Sequence, residues 1–412
     1  MLLKKNNINW LEIINGLLII SLFISINALS ITLGVYIAVS IIIFFKTKSI
    51  EKLDLLPTKK DLLIISIPIL IVVVSLFWTE NTIRGFDQII KRIPLLLMPI
   101  SFKIQSLFIT KNFKNRVLKF YILCCTLFSL YGISTLLLYY PVDFKTQLTF
   151  IHLRYLFEHE ITYMHPVYCG LLCGLSSMFS IYYAVQPSSN KKGYKPLYFI
   201  PFAINLATLF FISARMSILA VMICIVVLVL FLRKYKFLFL MLLIPVAVSI
   251  IQNSYSGFRF NEVVELISNG SFKSLSDTNT LNTRFEIYSC VLEVFKNSPI
   301  FGHGIGDVQD LLFSCTRNLL GAFKYNSHNQ YLEFLLSSGI IGLLSFLTFL
   351  VFLGRGLFKK RSVLGVLVFI FFILSFFTEN LFARTRGVFI FSYIIYLFYF
   401  FYETEHTSND YY

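Results

Sequence analysis

The chain has 412 residues, of which 57% are hydrophobic and 17% aromatic, and its formal net charge is +15. A mean hydropathy of +0.76 excludes an ordinary soluble globular protein. Apolar runs of about 18 or more residues recur along the chain, and each could cross a hydrocarbon core of ~30 Å as a helix. The sequence therefore predicts an all-α polytopic membrane protein.

Twelve apolar segments are predicted to span the membrane. They cover residues 10–26, 28–45, 61–78, 93–109, 118–139, 164–185, 196–213, 216–232, 237–251, 331–353, 363–378 and 387–402. With the N-terminus in the cytoplasm, cytoplasmic segments carry 22 Lys and Arg against 7 acidic residues, whereas outer segments carry 14 of each. This positive-inside distribution predicts a multi-pass membrane protein with both termini in the cytoplasm. It also explains the basicity without a nucleic-acid partner.

The first apolar segment follows Lys4 and Lys5, as the core of a signal peptide would. No small-x-small cleavage pattern follows it, and the second span begins almost at once. We therefore expect a retained first helix.

The outer segment after the third span, WTENTIRGFDQIIKRIP, carries Arg84, Lys91 and Arg92 where positive charge is normally depleted. Two interpretations stay open: side chains that snorkel at the interface, or a rim that attracts an anionic lipid headgroup. The outer loop after the fifth span holds Arg154 and an H-x6-H-x5-H pattern, which matches no recurrent metal-ligand spacing. No metal site is predicted.

Arg215 lies in the outer hairpin between the seventh and eighth spans, within the letters S-A-R-M-S. A charged side chain at the membrane boundary is costly unless it snorkels, pairs or serves a site. The topology does not require a positive charge on this side. We interpret Arg215 as a site residue, with snorkelling as the alternative.

One long polar interval, residues 252–330, separates the ninth and tenth spans. It divides the chain into a membrane bundle at 1–251, a periplasmic loop at 252–330, and a second bundle with a short cytoplasmic tail at 331–412. The first part of the loop is rich in Ser, Asn and Gly and is predicted to be irregular, apart from a helical pattern near 261–267. We expect this loop to carry the chemistry.

A helix is predicted from Asn282, with Asn282 or Thr283 as its cap and Pro299 just past its end. Its apolar positions share one face, directed at the bilayer or the bundle: Phe285, Tyr288, Leu292 and Phe295. Arg284 would then lie in the first turn. Unpaired N–H groups and the helix dipole favour an anion there, and an arginine fork suits a phosphate or diphosphate.

Two further features of the loop are weaker signals. Cys290 and Cys315 could pair in an oxidising periplasm, although their spacing leaves this open. The glycines of the string Gly302–Asp307 permit tight turns and close approach of the backbone to a ligand. Gly304 is the candidate supporting residue among them. It follows no predicted strand and is not a dinucleotide fingerprint.

The loop closes with Asn-Ser-His-Asn-Gln, where Ser327 and Gln330 fit a capping box for the tenth span. This places His328 in the first turn of that helix, where the dipole disfavours imidazolium and keeps the ring neutral. A neutral histidine suits a general base for a hydroxyl. A merely interfacial histidine is the alternative, and Asn329 and Asn380 are candidate supporting residues.

Three motifs, together with the twelve-span layout, resemble the O-antigen ligase/O-antigen polymerase (Wzy-like) superfamily of bacterial membrane glycosyltransferases. The motifs are S-A-R-M-S at 213–217, S-P-I-F-G-H-G-I-G at 298–306 and S-H-N-Q-Y-L-E-F-L-L-S-S-G-I-I-G at 327–342. The layout covers most of the chain, whereas the recognisable motifs cover about residues 200–380. In the first motif the serine and the arginine stand one residue further apart than the family pattern.

The resemblance implies transfer of a glycan, on the periplasmic face, from an undecaprenyl-diphosphate carrier to an acceptor hydroxyl, without a nucleotide sugar, metal or other cofactor. It implies that Arg215 and Arg284 bind the donor diphosphate and stabilise it as the leaving group. His328 would activate the acceptor hydroxyl, with inversion at the anomeric carbon. Lipid A core, another glycan acceptor and the surrounding lipids are the implied partners.

Within the superfamily the acceptor differs: lipid A core for ligases, another lipid-linked repeat for polymerases, and a protein side chain for O-oligosaccharyltransferases. One dominant outer loop favours the ligase, and hence lipopolysaccharide biosynthesis. A polymerase of O-antigen or exopolysaccharide is the alternative. A lipid-linked saccharide flippase is the rival from another class, and it predicts charged residues in mid-membrane cavities.

Overall fold

The computed structural model describes residues 2–46, 58–106, 108, 112–139, 155–186, 195–235, 237, 280–321 and 323–401. Within these ranges every regular element is helical. The α-helices, in chain order, are α1 (Leu2–Ile24), α2 (Ile26–Lys46), α3 (Lys59–Ser75), α4 (Thr82–Arg92), α5 (Pro94–Ser106), α6 (Phe113–Tyr139), α7 (Pro166–Val185), α8 (Phe199–Phe211), α9 (Arg215–Phe231), α10 (Thr280–Asn297), α11 (Val308–Leu320), α12 (Gln330–Lys359), α13 (Val363–Phe376) and α14 (Thr385–Phe400).

Five of these helices are long and apolar enough to cross a membrane, namely α2, α3 with the turn that follows it, α6, α7 and α12. Five shorter apolar helices accompany them: the apolar part of α1, and α8, α9, α13 and α14. Such a set is that of a polytopic α-helical membrane protein. Eleven of the twelve predicted apolar segments coincide with helices, and the ninth, 237–251, lies outside the described residues except for residue 237. The division at 1–251, 252–330 and 331–412 stays a prediction.

The helices form two compact units. The first comprises Met1–Leu22, Ile26–Val117 and Phe285–Tyr412, and the second comprises Phe23–Ser25 and Leu118–Arg284. In the first unit α3 packs against α12, and α5 packs against both α2 and α14. In the second unit α7 packs against α8 and α9 and is buried along almost its whole length, as expected for a helix that is apolar on every side.

An amphipathic segment joins α3 to α5 in the first unit. Asn81 caps α4 by accepting a hydrogen bond from the Arg84 backbone N–H. Ile83, Phe86 and Ile90 recur at i, i+3 and i+7 and are exposed, as on a helix that lies in a membrane interface. The polar face of α4 is thereby left for contacts within the protein.

Helix α10 differs from its prediction in two respects. It already includes Thr280, so Asn282 and Thr283 are internal residues, and the predicted caps and first-turn position of Arg284 are wrong. The predicted end before Pro299 is confirmed. Of the face predicted to contact the bilayer or the bundle, Phe285 and Leu292 are exposed, whereas Ile287, Cys290, Val291 and Val294 form a core with Val308, Leu312 and Leu336.

The core between α10 and α11 is closed covalently. Cys290 and Cys315, whose Cα atoms lie 5.8 Å apart, form a disulfide across 25 residues of chain. The pairing that the sequence left open is therefore present in the structure. It fixes the two helices that border the turn at 298–307.

Candidate active site

Helix α12 begins two residues later than its capping-box pattern suggests. The Asn329 side chain accepts hydrogen bonds from the backbone N–H groups of Tyr331, at 2.9 Å, and Leu332, at 3.1 Å. Asn329 is thus the N-cap, a position that asparagine fills as well as serine does. The predicted Ser327 cap and the first-turn position of His328 are wrong, because His328 lies just before the helix.

The backbone of His328 is left-handed, with φ 44°. For a non-glycine residue this conformation costs about 1–3 kcal/mol and persists only where the surroundings enforce it. The Asn326 side-chain oxygen accepts the His328 N–H at 2.9 Å, and the Ser327 hydroxyl donates to the Asn329 carbonyl at 3.1 Å. Such outliers cluster at functional sites, so this one motivates a functional hypothesis.

The imidazole of His328 lies beside a carboxylate. Its Nδ1 is 3.6 Å from Oε2 of Glu379, and the two side chains are 31% and 22% exposed. The ring therefore has both a polar neighbour and access to solvent. It also stays close to the positive end of the α12 dipole.

Asn380 ties the last hairpin to the start of α12. Its carbonyl oxygen accepts the Asn329 N–H at 2.5 Å, and its amide donates to the Ser327 hydroxyl at 2.9 Å and to the Glu333 carboxylate. The structure thus brings the candidates Asn329 and Asn380 together around His328. Their role in the chemistry stays a prediction.

A buried ion pair lies behind this cluster. Arg92, only 1% exposed, places Nη2 2.6 Å from Oε1 of Glu333, and its Nη1 donates to the side chain of Gln88 at 2.8 Å. Burial lowers the pKa of the Arg92 guanidinium from its usual value, while Glu333 opposes that shift. Snorkelling and a lipid-facing rim are both excluded for this arginine, because its charge is compensated inside the protein.

Arg84 forms the second charged contact of α4. Its guanidinium lies 2.6 Å from Asp310 on α11. The hydrogen bond from Arg84 holds the pKa of the Asp310 carboxyl below its usual value, partial burial opposes this, and Lys324, 3.6 Å away, adds to the lowering. Arg84 therefore faces α11 rather than open lipid.

A polar cavity of about 190 Å³ lies beside the His328 segment. Its lining includes three cationic and two acidic side chains. It also includes polar groups from the start of α12 and from the last hairpin. The cationic side chains are those of Arg84, Lys91 and Arg384, and the polar groups include Asn326, Ser327 and Asn380. Arg384 had no predicted role, and it becomes a candidate here because it shares a cavity with Asn380.

The Gly-rich turn packs tightly against protein. A Cβ at Gly304, where φ is +87°, would lie 2.2 Å from the Thr79 hydroxyl, and one at Gly306 would lie 2.2 Å from the Asn81 carbonyl oxygen. The close approach that these glycines permit is therefore made to the segment before α4. Any ligand contact of Gly304 stays a prediction.

The two predicted diphosphate-binding arginines belong to the second unit. Arg215 is the first residue of α9 and follows Ser213, whose φ of 54° is also left-handed. Arg284 lies in the second turn of α10, counted from Thr280. Of the remaining candidates, Arg154 lies outside the described residues.

Glu333 and Glu379 are the functional candidates that the sequence interpretation passed over. Glu333 stood at the start of the apolar segment 331–353, and an acidic residue inside a span is itself a signal that it has a partner. Glu379 lies in the last hairpin, next to the candidate Asn380. Its proximity to His328 depends on packing between α12 and α13, which local sequence does not specify.

Comparison with known proteins finds a similarity to one family in part of the chain. No curated protein matches the chain. Residues 200–347 match the family model described as O-antigen ligase, Wzy_C. The matched region runs from α8 into α12 and includes Arg215, Arg284 and His328. The match supports the resemblance drawn from the three motifs: residues 200–347 of this chain are similar to the O-antigen ligase family.

Proposed function

We propose that this protein is an inverting glycosyltransferase that moves a glycan from an undecaprenyl-diphosphate carrier to a hydroxyl of lipid A core, on the periplasmic face of the inner membrane. The observation that carries the proposal is His328, which is held in a left-handed conformation beside Glu379 within the region similar to the O-antigen ligase family. Similarity to that family supports a membrane glycan transfer, and the donor, the acceptor and the mechanism are our inference.

His328 is the general base in this proposal. The Glu379 carboxylate beside Nδ1 favours the tautomer that carries its proton there, which leaves the Nε2 lone pair to accept the proton of the acceptor hydroxyl. The 3.6 Å separation exceeds a hydrogen bond. Contacts of this kind are often long in empty sites and shorten when substrate binds.

The transfer itself is a single displacement. The acceptor oxygen forms a bond to the anomeric carbon while the bond from that carbon to the diphosphate oxygen breaks, and the electron pair leaves with the diphosphate. His328 takes the proton and later releases it to solvent. One displacement inverts the anomeric configuration.

The leaving diphosphate gains negative charge as this bond breaks. We assign its stabilisation to Arg215, at the start of α9, and to Arg284 in α10, since guanidinium groups bind phosphate oxygens as bidentate forks. Arg84 and Arg384, which line the cavity beside Asn380, are suited to a further anionic group of a substrate. No nucleotide takes part in the proposal.

Two features support a periplasmic site. The disulfide between Cys290 and Cys315 is typical of an oxidising compartment. The distribution of Lys and Arg supports the same side for the segment between the ninth and tenth spans. Both agree with a lipid diphosphate as donor, because nucleotide sugars are made in the cytoplasm.

The test is complementation of a deletion strain with His328→Asn. Asparagine tolerates a left-handed backbone, so this change removes the base while keeping the conformation. We expect unchanged membrane abundance and loss of full-length lipopolysaccharide on gels, because general bases contribute about 10²- to 10⁴-fold to rates. His159→Asn, at an exposed histidine, is the matched control and should complement fully. Full complementation by His328→Asn would refute the mechanism.

The same gels distinguish the acceptor classes. Accumulation of long carrier-linked chains on deletion indicates a ligase, and single repeats on lipid A core indicate a polymerase. Loss of glycan from proteins alone indicates an O-oligosaccharyltransferase. Accumulation of precursor on the cytoplasmic face would instead indicate a flippase.

A further inference from the structure

The ion pair between Arg84 and Asp310 separates two cavities of different character. Arg84 lines the cationic cavity, whereas Asp310 lines a second cleft of about 860 Å³. The walls of this cleft are the segment 78–81, the segment 298–303 and the first turns of α11. No lining residue is shared between the two cavities among the residues that the structure describes.

The second cleft is acidic. Glu80, Asp307 and Asp310 line it, and in the described part of the chain no Lys or Arg does. Glu80 is exposed. Negative charge in a concave wall repels phosphate and attracts neutral hydrogen-bond donors or ammonium groups. Arg84 and Lys324 compensate the charge of Asp310, so the negative charge that a ligand meets is that of Glu80 and Asp307, and the lining offers a diphosphate no Lys or Arg.

Two aromatic rings meet in the same cleft. The ring centroids of Trp78 and Phe301 lie 6.0 Å apart in an edge-to-face arrangement, and Phe301 is 58% exposed. Exposed aromatic faces bind flat apolar surfaces, while carboxylates accept hydrogen bonds from hydroxyl groups. A sugar ring presents both kinds of surface, since its C–H face is apolar and its edge is hydroxylated.

The walls of the cleft are fixed before any ligand binds. Both oxygens of the Asp307 carboxylate accept backbone N–H groups of the opposite wall, from Glu80 at 2.7 Å and Asn81 at 2.8 Å. A Cβ at Gly302 would lie 2.4 Å from the backbone nitrogen of Ser338, so the other wall is packed directly on α12. A preformed cleft loses less entropy on binding.

We propose that this cleft binds a saccharide segment of the glycan substrate, one that is neutral or carries amino groups. The inference rests on the proposed glycan transfer and adds a subsite to it. The cleft and the cationic cavity flank one ion pair. A cavity that suits an anionic group beside a cleft without Lys or Arg in its lining matches a substrate that carries an anionic group next to uncharged sugars.

The chain offers a direct reporter, because it contains two tryptophans, Trp10 and Trp78. In a Trp10→Phe background, the fluorescence of the full-length protein in nanodiscs reports on the cleft alone. The probes are the oligosaccharide released by mild acid from the host's own diphosphate-linked glycan, inorganic pyrophosphate, and a lysine-rich peptide. We expect a saturable change with the oligosaccharide and none with pyrophosphate.

Two variants and one control sharpen the measurement. Phe301→Ala removes one ring and should weaken oligosaccharide binding about three- to tenfold, and Glu80→Gln should weaken binding of an amino-bearing glycan. Phe77→Ala, at an 88% exposed neighbour of Trp78, is the matched control and should have no effect. In transfer assays Phe301→Ala should raise KM while kcat is unchanged.

The outcomes separate this inference from the proposed function. An unchanged fluorescence at millimolar oligosaccharide, in a preparation that still transfers glycan, would overturn the subsite and leave the proposed function intact. Binding of the lysine-rich peptide in place of the oligosaccharide would also overturn it. Oligosaccharide binding that Phe301→Ala weakens, in a protein that shows no transfer, would support the subsite and contradict the proposed function.

Discussion

The buried pair of Arg92 and Glu333 gives the sharpest stability prediction. Replacing Arg92 by Met leaves the Glu333 carboxylate, which is 9% exposed, without its cationic partner, while the Asn380 amide still donates to its Oε2. Removing one member of such a pair costs about 3–5 kcal/mol, because the remaining charge is buried without compensation. We therefore expect Arg92→Met to lower the free energy of unfolding by that amount.

The double variant Arg92→Met/Glu333→Met removes both charges together. Apolar side chains of similar size often replace a buried pair with little loss. Some cost is expected because the Gln88 and Asn380 side chains each lose a partner, at about 1 kcal/mol per hydrogen bond. The double variant should therefore recover more than half of the loss, with a coupling energy of at least about 2 kcal/mol.

The assay is reversible unfolding of the purified protein in mixed micelles at increasing SDS fraction. The pair of Lys91 and Asp87, at i and i+4 on the same helix but exposed, is the matched control. A double-mutant cycle with Lys91→Met and Asp87→Asn should give a coupling energy of about 0.3–0.5 kcal/mol. Two results would contradict this prediction. One is a loss of less than about 1 kcal/mol in the free energy of unfolding of Arg92→Met. The other is a double variant that is no more stable than the less stable of the two single variants.

Three further changes act on the frame around the site. Cys290→Ser/Cys315→Ser opens a 25-residue loop and should lower the free energy of unfolding by roughly 3 kcal/mol, and reductant should then destabilise only the wild type. Gly306→Ala should lower the free energy of unfolding by about 1–3 kcal/mol, because its Cβ would lie 2.2 Å from the Asn81 carbonyl oxygen. Gly34→Ala is the control and should not destabilise the protein, because its Cβ would meet nothing within 4 Å. Asn329→Ala removes the α12 cap and should cost about 1 kcal/mol in the same unfolding assay, while Asn329→Asp should not.

The apolar segments were predictable because each depends on local composition. Eleven of the twelve coincide with helices, and the disagreements are of a few residues at the ends. Caps were less predictable, because several polar residues compete for one position. In the stretch Ser327, His328, Asn329, both Ser and Asn are good caps, and only the packing of Asn380 against this segment selects Asn329.

Long-range polar contacts were the least predictable part. Arg92 and Glu333 are 241 residues apart in sequence, and nothing in either local pattern indicates the other. The core-facing residues of α10 were not identified for a related reason, because pattern reasoning singled out the largest aromatic residues. The β-branched and cysteine positions Val291 and Cys290 face the core instead, where the disulfide and α11 require close approach.

The two glycine-containing stretches, 298–306 and 337–342, form one structural unit. Helix α12 breaks at Gly339, where φ is 64° and ψ is −161°. A break in a membrane helix exposes backbone groups that have no water to satisfy them. The Gly-rich turn supplies the partners: the N–H groups of His303 and Gly304 donate to the carbonyls of Leu336 and Ser337, at 2.8 and 2.9 Å.

The same break explains how the site is held. The N–H of Ile340 donates to the Pro299 carbonyl at 2.9 Å, so the turn replaces the helix's own hydrogen bonds on both sides of Gly339. The first turns of α12 are thereby held as a separate rigid segment, which carries Asn329 and Glu333 to their partners Asn380 and Arg92. Most of the motif residues are accounted for by this scaffold. His328 is not: this left-handed residue lies before the helix, outside these backbone contacts, and we therefore propose that the chemistry takes place there.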